Sequence, residues 1–201
     1  MRKALEPEAT ALRLWRQLYQ TYTLVKQTED MVFEEHGLTT EQYAVLVSIS
    51  YLGEPARITD IARWLERSTN SISMIVDRMV KAGLVRRVRD KRDRRVVYVS
   101  KTSKAESLFA PATVASFESV RKILSPMPHR DRLVLLDLLA DVKYETLKHL
   151  RPEVDIEKTK REELRQAANI DQWLSRYAGL SSTPEGKRKG SARGKTRKNI
   201  R

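Results

Sequence analysis

The sequence predicts a mainly α-helical fold carrying one small β-hairpin, on three observations. Apolar residues recur at helical spacing over most of the first 150 positions. Capping residues, glycines and prolines punctuate that pattern at helix-length intervals. Two β-prone runs, 84–89 and 96–100, interrupt it around a charged turn.

The first helix covers roughly 10–36, with an apolar stripe of Leu12, Trp15, Leu18, Tyr19, Tyr22, Val25, Val32 and Phe33, and Gly37 stands where a left-handed cap would end it. Thr39 with Gln42 makes a capping box for a second helix, which runs to Leu52 before Gly53 and Pro55 stop it. Thr59 can cap a short third helix over 60–65, and Ser68 a fourth. In the fourth, Ile72, Ile75, Val76, Met79 and Val80 share one face, and Gly83 terminates it. Leu84–Arg89 and Val96–Ser100 then form the hairpin, with the basic tip Asp90-Lys91-Arg92-Asp93-Arg94-Arg95. Ser103 with Glu106 is expected to open a fifth helix that ends at Pro126, and Pro128 to begin a sixth. Leu133–Val142 in the sixth is apolar on nearly every side, so it needs cover from a partner chain. Residues 152–180 read as a weakly amphipathic helical segment. Residues 181–201 hold too few apolar side chains to bury and are expected to be disordered.

Charge narrows the function. The chain of 201 residues has a net charge of +13, but 57–104 alone carries +9 and 181–201 carries +7, while 1–56 is net −3. Positive charge concentrated in one segment and one tail is the footprint of a polyanion partner. The chain has no cysteine, which excludes disulfides, thiolate zinc sites and thiol catalysis. There is no phosphate-binding glycine loop, no nucleophile elbow and no paired-histidine zinc motif, so the expectation is no enzyme and no cofactor. Glu34-Glu35-His36 reads as a solvated helix end, and Asp137, Asp141 and Glu145 with Lys143 and Lys148 as a salt-bridged face. No apolar run approaches 18 residues, and no signal-peptide core follows Met1, so a soluble cytoplasmic protein is expected.

Helix, short helix, turn, amphipathic helix and hairpin in that order make a winged helix-turn-helix. The fourth helix hides its apolar face and presents Thr69, Asn70, Ser73, Met74 and Asp77. Short hydroxyls and an amide near a helix N-terminus suit base edges and phosphates of the major groove of double-stranded DNA. The expected DNA-contacting set is Ser68, Thr69, Asn70, Ser71, Ser73, Met74, Arg78, Asp93, Arg94 and Arg95.

Two stretches carry a family resemblance. Ile75-Val76-Asp77-Arg78-Met79-Val80-Lys81-Ala82-Gly83-Leu84-Val85 and Asp93-Arg94-Arg95-Val96-Val97-Tyr98-Val99-Ser100-Lys101-Thr102 resemble the recognition-helix end and the wing of the MarR family, dimeric winged-helix transcription factors. The resemblance spans about 10–150. It implies that Asp93 buttresses Arg95 and that Arg95 enters the minor groove, which attracts arginine where it is narrow. Ser73-Met74 departs from the family's usual Thr-Arg, Lys101 from a usual Leu, and Ala105 from a usual Gly. A Met at 74 can instead touch a thymine methyl.

The expected organisation is 1–56 as the N-terminal dimerisation helix with the first helix of the DNA-binding lobe, 57–102 as the winged helix-turn-helix, 103–150 as C-terminal dimerisation helices, 151–180 as an extra helical segment and 181–201 as a basic tail. In fold terms that is six helices plus a β-hairpin wing, paired as an obligate-type homodimer through the terminal helices. Trp15, Tyr19, Tyr22, Tyr43 and Tyr51 could line one cavity for a small aromatic effector. The expected function is a sequence-specific, ligand-responsive repressor on a pseudo-palindromic operator. The alternatives are an architectural, largely sequence-non-specific DNA-binding protein and a winged-helix module for protein contacts.

The tail yields the first expected outcome. Lys187, Arg188, Lys189, Arg193, Lys195, Arg197, Lys198 and Arg201 can track phosphates without aiming at bases. Deleting 181–201 therefore lowers affinity for operator and random duplex alike, and flattens the salt dependence by about 0.9 per phosphate released. Titrations of the full chain and the shortened one across a salt series check this, and an unchanged slope would show a tail that does not touch DNA.

Overall fold

A computed structural model of the protein describes residues 6–89 and 96–178, and within them runs α1 (Pro7–Glu34), α2 (Thr40–Leu52), β1 (Ala56–Arg57), α3 (Ile58–Trp64), α4 (Thr69–Lys81), β2 (Val85–Arg89), β3 (Val97–Lys101), α5 (Ser103–Leu124), α6 (His129–Leu150) and α7 (Ile156–Ala178). Asp93, Arg94, Arg95 and the tail 181–201 lie outside the described residues. No described helix is long and apolar enough to cross a membrane.

Helix ends follow local chemistry. Pro7 occupies the first turn of α1, where its missing N–H costs nothing, so the helix begins several residues before the expected Thr10. Gly37 adopts φ +72°, which lets the Leu38 N–H reach back to the Phe33 carbonyl at 3.0 Å. The α2 capping box forms in both directions: the Gln42 N–H donates to the Thr39 hydroxyl at 3.2 Å and the Thr39 N–H to Gln42 Oε1 at 3.0 Å. Gly83 repeats the left-handed stop after α4 at φ +73°, with the Leu84 N–H on the Met79 carbonyl.

Three expectations need correction. Thr59 does not cap α3, because Arg57 is still paired in a strand and Ile58 turns straight from it into the helix. Ser103 does not cap α5; Thr102 does, accepting the Ala105 N–H at 3.1 Å while donating to the Gly83 carbonyl at 2.7 Å. The β-hairpin is part of a three-stranded antiparallel sheet ordered β1-β3-β2, with Ala56 opposite Val99 and Arg57 opposite Tyr98. A two-residue strand leaves no periodicity to detect, and only its distant partner makes it one.

The core gathers around a chain of rings. Phe33 of α1 stacks on Tyr43 of α2 with centroids 3.8 Å apart, Tyr43 lies 5.3 Å from Phe109 of α5, and Phe109 meets Tyr177 of α7 edge-on at 6.0 Å. The Tyr43 hydroxyl donates to the Thr113 hydroxyl at 3.2 Å, so the buried phenol is satisfied. Ile49, Ile61, Ile72, Val76 and Met79 extend this core under the helix-turn-helix. Tyr177 is 2% exposed, so the segment that reads as weakly amphipathic is anchored in the core from its far end.

α1 and α6 leave much of their apolar surface open. Leu133, Val134, Leu136 and Leu138 are all at least half exposed in the single protomer.

Burial pushes the Tyr43 phenol up to about 12 from its ordinary 10.0. A proton held more tightly in the folded chain contributes stability that is complete below the ordinary value and is lost as pH rises through the raised one. Denaturant melts between pH 10 and 12 are therefore expected to lose on the order of 2–3 kcal/mol through this group. That part of the loss is absent in Tyr43→Phe, and identical profiles for the two proteins would contradict it.

Candidate nucleic-acid interface

α4 is oriented by its two faces. Ile72, Ile75, Val76 and Met79 are buried against the core, which turns Thr69, Asn70, Met74, Asp77 and Arg78 outward. Ser71 and Ser73 are half-buried at the margin. Ser68 starts the helix, its hydroxyl accepting the Ser71 N–H at 3.2 Å, so its side chain is engaged as a cap. Arg78 turns toward α2, where Glu41 lies 3.6 Å away and also holds Arg67 at 2.9 Å. The outward residues of α4 thus form a polar surface in which Met74 is 66% exposed, and Val80, expected on the buried face, is exposed as well because it lies past the helix's packed stretch.

Beside α4 the sheet adds residues that helical pattern alone does not single out. Arg87 of β2 sits 2.9 Å from Asp77 and donates to the Ser73 carbonyl at 3.5 Å, tying the sheet to α4. Arg57 of β1 donates through Nε to the Tyr98 hydroxyl at 3.1 Å. Between α4 and the sheet lies a cleft of about 430 Å³, lined by Arg57, Thr59, Thr69, Ser73, Arg87 and Val97 among others. The only sequence signal for Arg57 and Arg87 is their membership of the segment carrying +9.

The root of the wing is pinned by a charge network. Lys101, at the end of β3, donates to Glu106 Oε2 at 2.8 Å and to the Ser50 hydroxyl at 3.1 Å, and its ammonium lies 4.9 Å from the Phe109 ring centroid. The Lys101 N–H donates to Glu54 at 2.7 Å. Tyr177 donates to the other oxygen of Glu106 at 3.0 Å, so α7 reaches the same carboxylate. The departure from Leu at 101 is therefore compensated by a carboxylate, a hydroxyl and a ring face.

The five aromatics expected to share one cavity do not meet in the protomer. Trp15, Tyr19 and Tyr22 are exposed on α1, and Tyr43 is core. Tyr51 lies 5.2 Å from Trp64 at the edge of a different cavity of about 860 Å³ between α2, α3, α6 and α7. Tyr144, Lys143 and Glu163 stand in its wall, where the Tyr144 hydroxyl donates to Glu163 at 2.7 Å and Lys143 pairs with the same carboxylate at 2.6 Å. Among the described residues no cluster of three or more acidic, His or Cys side chains could hold a metal ion.

Comparison with known proteins agrees with this geometry. Residues 38–97 match the model described as MarR family. The chain is 36% identical over 94 residues to the transcriptional activatory protein BadR of Rhodopseudomonas palustris, covering 46% of this chain and 54% of BadR, so it spans about half of that relative. It is 28% identical over 129 residues to the HTH-type transcriptional regulator PecS of Dickeya dadantii, covering 63% and 75% of the two chains. Its fold is shared with the organohalide sensing RdhR-CbdbA1625 transcriptional regulator in the ligand free form, at TM-score 0.65 and 22% identity, over 76% of this chain and 92% of that one. Both of these sequence relatives carry names of transcriptional regulation.

The wing root gives an asymmetric expectation. The Lys101 side chain is 10% exposed and that of Glu106 46%. Removing the carboxylate with Glu106→Leu strands a buried ammonium and is expected to cost about 2–3 kcal/mol. Lys101→Met leaves a carboxylate that water can reach and costs less than about 1 kcal/mol. Chemical denaturation of both variants tests the order, and equal losses would refute it.

Proposed function

We propose that the chain, whose residues 38–97 match the MarR family model, works as a homodimeric, ligand-responsive repressor of a pseudo-palindromic operator. The observation that carries this reading is the outward face of α4, where Thr69, Asn70, Ser73 and Met74 lie beside a basic sheet while the opposite face is locked in the core. A helix held in this way can enter a major groove, and its hydroxyls, amide and thioether supply hydrogen bonds and one apolar contact to base edges. Arg95, with Asp93 and Arg94 beside it, is proposed to reach the adjacent minor groove.

Pairing is supported by what the protomer leaves open. Leu133, Leu136 and Leu138 of α6, with Leu12 and Trp15 of α1, present apolar surface that a second copy of the chain would cover. Two copies would place their α4 helices in successive major grooves, about 34 Å apart. The cavity between α2, α3, α6 and α7 is the place proposed for a small effector. Tyr51 and Trp64 offer ring faces there, and α3 and α6 belong respectively to the DNA-binding and pairing halves. A ligand gripping both halves can change the spacing of the two α4 helices and so release the operator.

The basic tail favours a second reading, an architectural protein that coats DNA without preference. The ratio of operator to random-sequence affinity at fixed salt separates the two.

Light scattering at micromolar concentration is expected to give a mass near 46 kDa, roughly twice the chain mass of 23.3 kDa. Arg95→Ala is expected to weaken operator binding by about 1–3 kcal/mol, and Asp93→Ala by less. A monomer would overturn the pairing, and an unchanged operator titration for Arg95→Ala would overturn the wing contact.

A further inference from the structure

We propose that the cavity between α2, α3, α6 and α7 takes an aromatic ammonium, a ring bearing a quaternary or tertiary nitrogen, in preference to an uncharged or anionic ring of similar shape; this rests on the reading of that cavity as the effector site. Its size and walls admit a small molecule. The volume of about 860 Å³ lies within the range of ligand pockets, and Tyr51, Trp64, Leu52, Leu136 and Leu164 give it apolar walls. Charge decides which small molecule.

Among the described lining residues four carboxylates, Asp60, Glu66, Glu162 and Glu163, stand against three cationic side chains, Arg63, Lys143 and Lys160. Each of the three cations already has a carboxylate: Arg63 has Asp60 at 3.6 Å, Lys143 has Glu163 at 2.6 Å and Lys160 has Glu157 at 3.0 Å. Glu66 is engaged by Arg151 at 3.0 Å. Glu162, half-buried, has no ion-pair partner among the described residues. The charge left over in the cavity is therefore negative. An anion would enter among four carboxylates and compete with Glu163 for Lys143, whereas a cation meets Glu162 with nothing to displace.

The walls suit a cation as well. Ring faces attract cations held within about 6 Å of their centroids, and quaternary ammonium groups are recognised in this way. The cavity shows that geometry in its own side chains: the ammonium groups of Lys143 and Lys160 lie 4.7 and 5.2 Å from the Tyr144 ring centroid. Tyr51 and Trp64, 5.2 Å apart and tilted by 32°, are two further rings in the wall. Lys143, Tyr144, Glu162 and Glu163 all lie outside residues 38–97, so the preference is written in a part of the chain beyond the MarR-family match.

The test uses the full-length protein and three probes of similar shape: phenyltrimethylammonium, its uncharged isostere tert-butylbenzene, and benzenesulfonate. Calorimetric titration is expected to give the cation an affinity about fivefold above the uncharged ring, with the anion weakest. Glu162→Gln is expected to weaken the cation about threefold and to leave tert-butylbenzene unchanged. Leu164 is 72% exposed, so charge can be added there without disturbing the core: Leu164→Glu raises the cation's affinity and Leu164→Lys lowers it. Trp64→Leu, first shown to melt like the parent, weakens both the cation and the uncharged ring. If either of the other probes binds as tightly as the cation, the cationic class is overturned, and a loss in Trp64→Leu would still keep the cavity as the effector site. A cation titration indifferent to Glu162→Gln and to both Leu164 variants would put the binding elsewhere and overturn the assignment. No binding of any probe to the parent would refute both the cationic class and the cavity as an effector site. Operator release separates the two. With sodium chloride at equal ionic strength as the control, phenyltrimethylammonium is expected to lift the protein off an operator duplex. A cation that binds in the cavity and releases nothing would refute the effector role while leaving the ligand class standing.

Discussion

The stack of Phe33, Tyr43, Phe109 and Tyr177 is the interaction on which the other parts depend. Its four rings come from α1, α2, α5 and α7, elements separated by as many as 144 positions in sequence. Aromatic contacts of this kind bury large surfaces in a few favoured geometries, so they set helix positions as well as adding stability. With α2 and α5 held by Tyr43 and Phe109, the helix-turn-helix between them has a fixed base. Ile49, Ile72 and Met79 then complete the core beneath α4, and its polar residues have nowhere to point but outward.

The same base carries the sheet. Lys101 ends β3 and reaches Glu106 on α5 and Ser50 on α2, while Tyr177 on α7 takes the other oxygen of Glu106. A buried ammonium is tolerable only when its charge and donors are satisfied, and here one carboxylate, one hydroxyl and one ring face do that together. The consequence is mechanical. Glu106 joins α5 and α7 to the root of the wing, and the Asp77–Arg87 pair joins the sheet to α4.

The composition of α6 records the opposite situation. Its leucines occupy more faces than one protomer covers, and they stay exposed while smaller residues such as Ala105 and Ala112 on α5 are fully buried. Apolar surface left open by a well-packed chain points outward to association, not inward to a missing core. The aromatic residues of α1 share that character, which is why Trp15, Tyr19 and Tyr22 do not join Tyr43 or Tyr51.

What the sequence determined by itself was chemistry written within single turns, the starts of α3 and α5 excepted. The Thr39–Gln42 box, the Ser68 cap and the left-handed Gly37 and Gly83 are single-turn chemistry, legible from residue types a few positions apart. The buried face of α4 is legible too, because its apolar residues repeat at the helical period, and the outward face follows by exclusion. Tertiary structure decided whatever needed a partner far along the chain. Arg57 reads as a loop residue until Tyr98 makes it a strand, and Thr102 reads as a strand end until the Gly83 carbonyl holds it in place as a cap. Lys101 reads as a misplaced charge until Glu106, Ser50 and Phe109 surround it. Tyr43 and Tyr51, though on one helix, part company because one faces α5 and the other faces α3. Such pairings leave no period in the sequence, since a contact between residues of different elements depends on how those elements pack and not on spacing along the chain.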